Sequence, residues 1–587
     1  MHQPLIPGCL IIKFTITQNA QYRNHFHNVL CLSEAKGMDI NMKENAAIRF
    51  NYVSELYEQG VKKEKERILD SLPPELSDLH QRGILHIHDL EAYGKVYNCC
   101  VPDLAGYFAS RKAFCISTEG KIFELFEVLK NLIINLATNQ SGGIGFSNFD
   151  VDFAERLDSL EIRYCEESAN ILKEGIIEFI EWLNTTYTRY CREPYYVTLN
   201  IGLATSEWGR KISEILLESF ESAPIEYMRP NIVYKVNAKI NGKGTTNYYL
   251  YNKALLCTAK RMIPTYLLTD SAVNKCCDPL KLAIMGCRTR VYENVCGEAG
   301  AIGRGNIACV SINLPRIALE HGDQDNFYKT LTHTMEQAIS ILKDRSKKFL
   351  ENGSEYLGFV LKHRLWKTEN ICSMAEQGTL SIGFIGLSEC VEILTGKKPF
   401  ETSDSFTLSY DIIKHMRKIM DTCRCTEKKN FSLLASPGEM LSSRFCELDS
   451  KKYPHQTQEK GFYTNSFHVN VDAKVTIYEK IDLEAPFHKL CNGGCITYIE
   501  LTSAPLNNWL ALEDAIEYAK SKGISYLGFN FPYDICNYCG NMGTFDKCNR
   551  CGSNDIKRIR RVSGYLEEVS YFTEGKKAEV PMRRAIL

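Results

Sequence analysis

The C-terminal part of the sequence is the most informative and contains Cys536-Asn537-Tyr538-Cys539, Cys548-Asn549-Arg550-Cys551 and Arg561-Val562-Ser563-Gly564-Tyr565. The C-x2-C-x8-C-x2-C spacing lets two tight turns bring four thiolates to the corners of a tetrahedron, the geometry of structural Zn²⁺. Gly540 and Gly552 follow the two pairs, where such turns need a residue that tolerates positive φ. We therefore expect a structural Zn²⁺ ion. A redox-active CxxC pair and four unrelated cysteines are the alternatives.

The motif R-V-S-G-Y at residues 561–565 resembles the signature of glycyl radical enzymes, including its position near the chain end. Glycine suits that chemistry because a radical at its Cα is flanked by an amide nitrogen and a carbonyl, and no side chain prevents the centre from flattening. From the residues alone, Gly564 is more typical of an ordinary turn. The resemblance implies that Gly564 stores a radical, which oxygen would destroy, so the enzyme would work anaerobically.

Five further blocks, in order and spacing from about Glu44 onward, resemble the anaerobic (class III) ribonucleotide reductases. They are Gly83-Ile84-Leu85-His86-Ile87-His88-Asp89, Asn98-Cys99-Cys100, Met285-Gly286-Cys287-Arg288, Ser311-Ile312-Asn313-Leu314-Pro315-Arg316 and Gly461-Phe462-Tyr463-Thr464-Asn465-Ser466-Phe467-His468-Val469. Several independent blocks in the right order are more specific than any one of them. The resemblance implies reduction of ribonucleoside triphosphates to 2′-deoxyribonucleoside triphosphates, with formate as the electron donor and cosubstrate.

Strand-like and helical patterns alternate along the chain. The strand-like segments are 195–201, 232–236, 380–385 and 467–471, and the helical ones are 121–137, 331–349, 406–421 and 440–448. This alternation predicts an α/β fold with a largely parallel buried sheet, open or closed into a barrel. The resemblance implies a ten-stranded α/β barrel of the glycyl radical enzyme and ribonucleotide reductase type, in which a cysteine loop meets the radical glycine loop.

We expect four segments along the chain. They are an N-terminal extension at 1–43 without a complete ATP-cone, a catalytic barrel with effector-binding helices at 44–527, a four-cysteine zinc module at 528–556, and the glycyl radical loop with the C-terminal tail at 557–587.

The resemblance also implies roles for two cysteines. Cys287 would become a transient thiyl radical, because an S–H bond is comparable in strength to an activated C–H bond and can exchange a hydrogen with the sugar. Cys99 would protonate the departing 2′-hydroxyl from the opposite face of the ribose, although the adjacent Cys100 leaves that assignment open. From the residues alone, each of them is also typical of a small buried hydrophobe.

Two polar residues are predicted near the same pocket. Asn313 matches an Asn of members that use formate, and His86 matches a nearby His. An amide and an imidazole together can hold a small carboxylate by hydrogen bonds. A turn Asn before Leu-Pro and a satisfied core His are the structural alternatives, and a thioredoxin-like protein is the alternative electron donor.

The segment Ser436-Pro437-Gly438-Glu439 reads as a helix N-terminus, with Glu439 in the first turn. The resemblance implies that this loop borders the substrate, with Glu439 as an active-site carboxylate. Ser436 and Gly438 would bind substrate, since free N–H groups at a helix start can receive phosphates. Leu434 stands where some relatives have Tyr, so no tyrosyl role is expected there.

The amino-acid composition limits the classes of function that this protein can have. The 587 residues are 44% hydrophobic with a formal net charge of -1, which is typical of a globular protein without a global basic field for nucleic acid. No apolar run approaches the ~18 residues of a membrane span, and no secretory signal is recognised. The 24 cysteines then favour a reducing compartment. We expect a cytoplasmic protein that contacts neither membrane nor nucleic acid directly.

The resemblance implies several partners. A radical S-adenosylmethionine activase with an iron–sulfur cluster would install the radical, and the chain would form a homodimer. Deoxynucleotide (dNTP) effectors would bind at the dimer interface near helix 121–137 and the Gly142-Gly143 loop.

Two other functions compete with the reductase. A glycyl radical lyase of the pyruvate formate-lyase kind, or a dehydratase, is suggested superficially by the Cys99-Cys100 pair, but the mid-chain loop carries the single Cys287. A zinc-ribbon nucleic-acid-binding protein is suggested by the basic run 557–561. The near-zero net charge argues against it.

Overall fold

The computed structural model describes residues 51–188, 193–454 and 460–585, all of which belong to one compact unit. The predicted N-terminal extension, 1–43, lies outside the described residues. Within them, no helix has the length and apolar character needed to cross a membrane.

Seventeen strands are formed by the described residues. Their bounds are β1 Leu85–Ile87, β2 Cys99–Val101, β3 Ile144–Phe146, β4 Val197–Ile201, β5 Asn231–Val236, β6 Thr265–Leu268, β7 Ile284–Met285, β8 Thr289–Arg290, β9 Arg304–Asn313, β10 Thr379–Ile385, β11 Asn430–Ala435, β12 Thr497–Glu500, β13 Tyr526–Asn530, β14 Tyr533–Cys536, β15 Met542–Gly543, β16 Ile556–Arg561 and β17 Leu566–Glu568.

Helices alternate with these strands. The α-helices span Tyr52–Ser71, Pro74–Gln81, Leu104–Ala109, Thr118–Ala137, Phe149–Ser159, Glu166–Thr185, Glu207–Ser222, Tyr248–Arg261, Leu314–Glu320, Gln324–Tyr356, Gly358–Lys362, Ile371–Gln377, Leu387–Thr395, Ser403–Glu427, Leu441–Lys452, Ile477–His488, Ala511–Lys522 and Glu574–Glu579. Short 3₁₀ turns lie at Leu90–Ala92, Leu506–Asn508, Val569–Tyr571 and Val580–Met582.

The principal sheet follows the order β11-β10-β9-β2-β3-β4-β5-β6-β13-β12, with β1 paired to β9 beside this path. Strands β2 to β6 are parallel to one another, and so are β9 to β11 and the pair β12 and β13. The β9–β2 and β6–β13 junctions are antiparallel. The α/β class is confirmed and the path has the predicted ten strands. Within the described residues no ladder joins β11 to β12, so closure into a barrel stays a prediction.

Local patterns predicted several of these elements. Helix Thr118–Ala137 buries the apolar stripe that predicted it, and its N-cap Ser117 accepts a hydrogen bond from Gly120 N. The predicted strand at 467–471 is wrong, because this segment has no strand neighbour. A buried carboxylate instead accepts a backbone hydrogen bond from this segment, since Val469 N donates to Glu484 Oε1 over 3.1 Å.

A second, four-stranded sheet joins the predicted zinc module to the predicted radical loop. Its order is β15-β14-β16-β17, so β16 pairs with a strand of each segment. The turn between β16 and β17 carries Gly564. Because one strand serves both segments, the cysteine module and the glycine turn form a single structural element.

Candidate active site

Two turns meet inside the molecule. The hairpin β7–β8 carries Cys287 at its tip, and the turn between β16 and β17 carries Gly564. Strand β4 fixes the hairpin, because Asn200 Nδ2 donates to Ile284 O over 2.9 Å and Asn200 Oδ1 accepts from Ile284 N over 3.0 Å. Thr198 Oγ1 donates to Gly286 O over 3.1 Å, so the residue before Cys287 is anchored to the same strand.

Gly564 is packed directly against the backbone of Cys287. A Cβ placed on Gly564 would lie 1.8 Å from Cys287 O and 2.3 Å from Cys287 Cα. Such distances are far inside van der Waals contact, and both clashes are with backbone atoms that cannot rotate away. Only glycine therefore fits between the two turns.

A buried carboxylate holds the glycine turn on both sides of Gly564. Ser563 Oγ donates to Glu439 Oε1 over 2.9 Å, and Tyr565 OH donates to Glu439 Oε2 over 2.7 Å. Arg561 Nη1 donates to Gly564 O over 3.2 Å. Hydrogen bonds to an ionised acceptor are stronger than neutral ones, so Glu439 is well placed to fix this turn.

A cavity of about 130 Å³ lies beside the meeting point of the two turns. We call it the cysteine cavity. Its wall includes His88, Asp89, Asn98, Cys99, Tyr196, Arg229, Cys287, Asn306, Cys309, Leu434, Pro437, Glu439 and Tyr565. The sequence-predicted residues that the structure brings together here are Cys99, Cys287 and Glu439, with Gly564 adjoining them.

The two adjacent cysteines face opposite ways, as successive residues of a strand do. Cys99 lines the cysteine cavity, where its Sγ donates to Asn98 Oδ1 over 2.9 Å and accepts from Gly143 N over 3.2 Å. Cys100 belongs instead to the main hydrophobic core. Of the two, only Cys99 adjoins Cys287.

Two of the thiols at the cavity, those of Cys99 and Cys287, keep their protons at neutral pH. Burial raises the pKa of Cys99 and of Cys287, and for Cys287 the neighbouring Arg288 guanidinium opposes this shift only in part. A protonated thiol still carries the S–H hydrogen that a hydrogen-atom transfer requires. Cys99 and Cys287 thus present S–H groups rather than thiolates to the cavity.

Asn313 and His86 are not brought to the cavity. Asn313 is the N-cap of helix Leu314–Glu320, and its Nδ2 donates to Gly83 O and to Asp449 Oδ2, each over 2.9 Å. His86 packs its ring between His80 and His88, with centroids 4.9 and 5.0 Å away. The structural alternative describes Asn313, since every polar atom of its side chain is used locally. For His86 the structure shows only that the residue is buried and does not line the cavity.

The loop before helix Leu441–Lys452 also differs from its prediction. The helix begins after Met440 without a side-chain cap, so Glu439 lies outside it and faces the glycine turn. Ser436 Oγ bonds to Ser311 Oγ over 2.6 Å, and Gly438 N donates to Asn465 Oδ1 over 2.8 Å. Neither is among the described residues of the cavity wall, where Pro437 and Glu439 represent this loop.

Two further predicted positions do lie at the cavity. Gly142 and Gly143, expected near an effector site, line it beside Cys99. Leu434 contributes an apolar side chain to the wall.

Asn306 and Cys309 are cavity residues that sequence reasoning missed. A register shift against β10 pairs Thr379 with Asn306 but Leu380 with Ala308. This bulge in β9 adds one residue and brings Asn306 and Cys309 to the same wall. A β-bulge cannot be recognised from the sequence. His88 and Asn98 also line the cavity, and both lie in sequence blocks that resemble the class III reductases.

The four C-terminal cysteines converge as their spacing predicts. The sulfur atoms of Cys536, Cys539, Cys548 and Cys551 lie within 4.8 Å of one another. The turns close through Gly540 N to Cys536 O and Gly552 N to Cys548 O, each over 2.9 Å, with φ of +68° and +73° at the two glycines. Four thiols at this separation fit a tetrahedral Zn²⁺ with bonds of about 2.3 Å.

The basic run 557–561 is not an exposed patch. Arg560 pairs with the buried Asp534 over 2.7 Å, and Arg561 is only 2% exposed. The local support for a nucleic-acid-binding ribbon is therefore lost.

Solved structures with the same fold are anaerobic ribonucleotide reductases and other glycyl radical enzymes. The crystal structure of the anaerobic ribonucleotide reductase from Thermotoga maritima in complex with dATP and CTP matches with a TM-score of 0.70 at 14% identity, covering 97% of this chain and all of that one. A glycyl radical enzyme from Archaeoglobus fulgidus matches with a TM-score of 0.51 at 11% identity, over 90% and 85% of the two chains. At these identities the likeness shows the fold alone.

Sequence comparison shows the family. The family model for anaerobic ribonucleoside-triphosphate reductase matches residues 42–585. The anaerobic ribonucleoside-triphosphate reductase of Escherichia coli (strain K12) is 32% identical over 564 residues, covering 87% of this chain and 78% of that protein. The reductase of Enterobacteria phage T4 is 28% identical over 568 residues, covering 87% and 91%. The chain belongs to the anaerobic ribonucleoside-triphosphate reductase family and is an oxidoreductase.

Proposed function

We propose that this chain reduces ribonucleoside triphosphates to 2′-deoxyribonucleoside triphosphates by glycyl and thiyl radical chemistry. The observation that carries the proposal is the contact between Gly564 and the backbone of Cys287, at a cavity whose wall also holds Cys99. A radical stored at Gly564 can pass to Cys287 by transfer of one hydrogen atom only if the two residues adjoin. Family membership supports the same activity.

Each of the three residues has one step in this scheme. Gly564 takes the S–H hydrogen of Cys287 and so leaves a thiyl radical, which removes a hydrogen atom from the ribose and later returns it. Cys99 gives its proton to the departing 2′-hydroxyl, which leaves as water. The walls of the cavity exclude solvent from the radical.

Several associations belong to the same proposal. An iron–sulfur, S-adenosylmethionine-dependent activase installs the radical, deoxynucleotides act as effectors, and the chain works as a homodimer in the cytoplasm. Zn²⁺ is held by the four C-terminal cysteines, whose sulfur atoms are close enough to share one ion. The ion would stabilise the sheet that carries the glycine turn.

We propose formate as the electron donor, bound near Asn306 rather than Asn313. Asn306 lines the cavity, and its Nδ2 donates to Thr379 Oγ1 and Ser381 Oγ over 2.9 and 2.8 Å. These bonds orient its amide. An ionised carboxylate only accepts hydrogen bonds, so formate would take the Nδ2 hydrogen that Ser381 Oγ accepts in its absence.

The pair of variants Asn306→Ala and Asn313→Ala tests the function together with this placement. After activation, the wild-type protein is expected to form dCTP from CTP in a formate-dependent manner. Asn306→Ala is expected to raise the KM for formate about tenfold, the equivalent of one lost hydrogen bond to a charged group. Asn313→Ala should leave that KM unchanged but lower the unfolding free energy by about 1–3 kcal/mol, because Asp449 loses a buried partner.

Two assays separate these effects. Initial rates of dCTP formation at varied formate concentration give the KM, and urea unfolding gives the stability. Formate-independent dCTP formation would contradict the donor assignment. Equal KM values for the two variants would contradict the placement at Asn306.

Glu439→Gln is expected to weaken the glycine turn without removing the radical residue. The carboxylate accepts from Ser563 and Tyr565 at once, and a neutral amide offers one weaker acceptor and one donor in its place. Losing about 1.5–3 kcal/mol of charge-assisted bonding predicts dCTP formation that is ~10–100-fold slower.

The control for this variant is Glu427→Gln, because that side chain lies on the surface and, within the described residues, has its one ion pair with Lys343 over 2.8 Å. Initial rates at saturating CTP and formate would be compared after equal activation. A Glu439→Gln protein as active as the control would show that the carboxylate does not position the turn.

A further inference from the structure

The glycine turn separates the cysteine cavity from a second, smaller one. Arg561, Val562 and Ser563 form part of the second wall, whereas Tyr565 and Leu566 line the first. The second cavity has a volume of about 60 Å³. We call it the basic cavity, for the side chains that surround it.

Cations outnumber carboxylates around the basic cavity. Its wall contains the basic residues Lys480, Arg561, Lys576, Arg583 and Arg584, and the acidic residues Glu500 and Glu579. A further carboxylate, Glu484, pairs with Lys480. Glu579 is shared, because it pairs with Lys576 over 2.5 Å and with Arg583 over 2.8 Å. Arg584 is exposed, so four largely buried cations face three carboxylates.

Among the buried cations of this cavity, Arg561 is the one whose charge is least compensated by a carboxylate. Its guanidinium donates to Phe529 O over 3.1 Å, to Gly564 O over 3.2 Å and to Met262 O. Within the described residues it forms no ion pair, although it is only 2% exposed. Buried charges are costly unless a counter-charge lies close by. Burial accordingly lowers the pKa of Arg561 and that of Lys576.

His468 offers the basic cavity a polar atom that the protein leaves unused. The residue is 7% exposed and lines the cavity. Its Nδ1 lies 3.3 Å from Glu484 Oε2, whereas its Nε2 is buried and has no hydrogen-bond partner among the described residues. Buried polar atoms almost always have a partner, so this nitrogen points to a ligand.

We propose that the basic cavity binds a small anion of the carboxylate or oxyanion type. Four cations with largely buried side chains, Lys480, Arg561, Lys576 and Arg583, supply the charge complementarity. His468 Nε2 becomes a hydrogen-bond donor when the imidazole is protonated, because an ionised carboxylate can only accept. Lys480, Glu484, Arg288 and Tyr498 are the ionisable groups that act on that imidazole. The cavity has less than half the volume of the cysteine cavity, so a nucleotide does not fit. This site does not rest on the proposed function.

A bound anion would strengthen the closed form of the glycine turn. Arg583 Nη1 donates to Arg561 O over 2.7 Å, so the C-terminal segment and the turn bring their cations to the same place. Repulsion between these cations favours separation of the two segments. An anion bound between them would attract the cations of both segments, so that net attraction replaces the repulsion.

The test is to place a tethered carboxylate in the cavity. Ala473 lines the basic cavity and is not among the residues that line the cysteine cavity. Ala473→Glu puts an anion within reach of the cations, and Ala473→Gln is the matched neutral control of the same size. Both proteins are studied without activation, so that the result is independent of radical chemistry and of nucleotide reduction.

The probe is ¹³C-labelled formate, the smallest carboxylate, at constant ionic strength set with sodium chloride. All three proteins, including the one that is wild type at position 473, carry Asn306→Ala so that formate binding in the cysteine cavity is weakened equally. Wild type and Ala473→Gln are expected to broaden the formate resonance, and Ala473→Glu is expected to bind it at least ~10-fold more weakly because its own carboxylate competes. Formate should raise the Tm of the first two proteins but not that of Ala473→Glu.

Equal broadening by all three proteins would overturn the proposal, and so would the absence of broadening by the wild type. Complete displacement of formate by an equal concentration of chloride would also overturn it, because screened surface attraction would then explain the signal. A failure of dCTP formation, by contrast, would bear on the proposed function and not on this site.

Discussion

Gly564→Ala is expected to abolish both the glycyl radical and the formation of dCTP. The added methyl group would lie 1.8 Å from Cys287 O, so the two turns cannot close around it. An alanyl radical would also be hindered in flattening at Cα. Electron paramagnetic resonance after anaerobic incubation with an activase, S-adenosylmethionine and a reductant should show a doublet in the wild type and none in the variant.

A surface glycine provides the control for this experiment. Gly322 has no atom within 4 Å of an added Cβ, so Gly322→Ala should keep the doublet and the activity. A doublet of wild-type intensity in Gly564→Ala would show that the radical resides elsewhere, and the whole assignment of the two turns would fail.

Cys287→Ala is expected to keep the radical and lose the reaction. Gly564 remains in place in this variant, so the doublet should form in normal yield. Formation of dCTP should fall to the background of the assay, because no thiol adjoins the glycine to carry the radical to the ribose. The measurement is the doublet intensity and the dCTP yield of the same activated sample.

Cys100→Ala is the matched control, since this thiol packs in the hydrophobic core and not at the cavity. It should lose some packing energy but retain turnover. If Cys287→Ala made dCTP at the rate of the wild type, Cys287 would not be the thiyl residue.

The parts of the site that the sequence predicted are those that short motifs encode. Four cysteines at C-x2-C-x8-C-x2-C spacing must converge when each pair forms a tight turn, and they do. Gly564 and Cys287 were each marked by their own block. The helix at Thr118–Ala137 followed from its apolar period. In all these cases the determining interactions lie within about 15 residues of sequence.

The parts that it missed depend on contacts between distant segments. Asn306 and not Asn313 lines the cavity, because a bulge in β9 is set by the pairing with β10. The sequence alone does not distinguish Cys99 from Cys100. In the structure their side chains lie on opposite faces of β2, with Cys99 at the cavity and Cys100 in the hydrophobic core. The segment 467–471 has strand-like residues, but Glu484 takes the backbone bond that a strand would have used.

The position of Glu439 also depends on contacts between distant segments. Capping rules placed it in the first turn of a helix, and the resemblance placed it at an active site. Its function in the structure comes from two hydroxyls more than a hundred residues away, on Ser563 and Tyr565. Such a pairing becomes visible only when the fold is known.

The most direct test of the central claim is the product formed from CTP by the activated wild-type protein. The chain would be incubated anaerobically with its activase, S-adenosylmethionine and a reductant until the doublet is present, and CTP and formate would then be added. We predict that dCTP appears over many turnovers and requires the doublet. A protein that carries the doublet but leaves CTP unchanged would contradict its assignment as a ribonucleoside-triphosphate reductase.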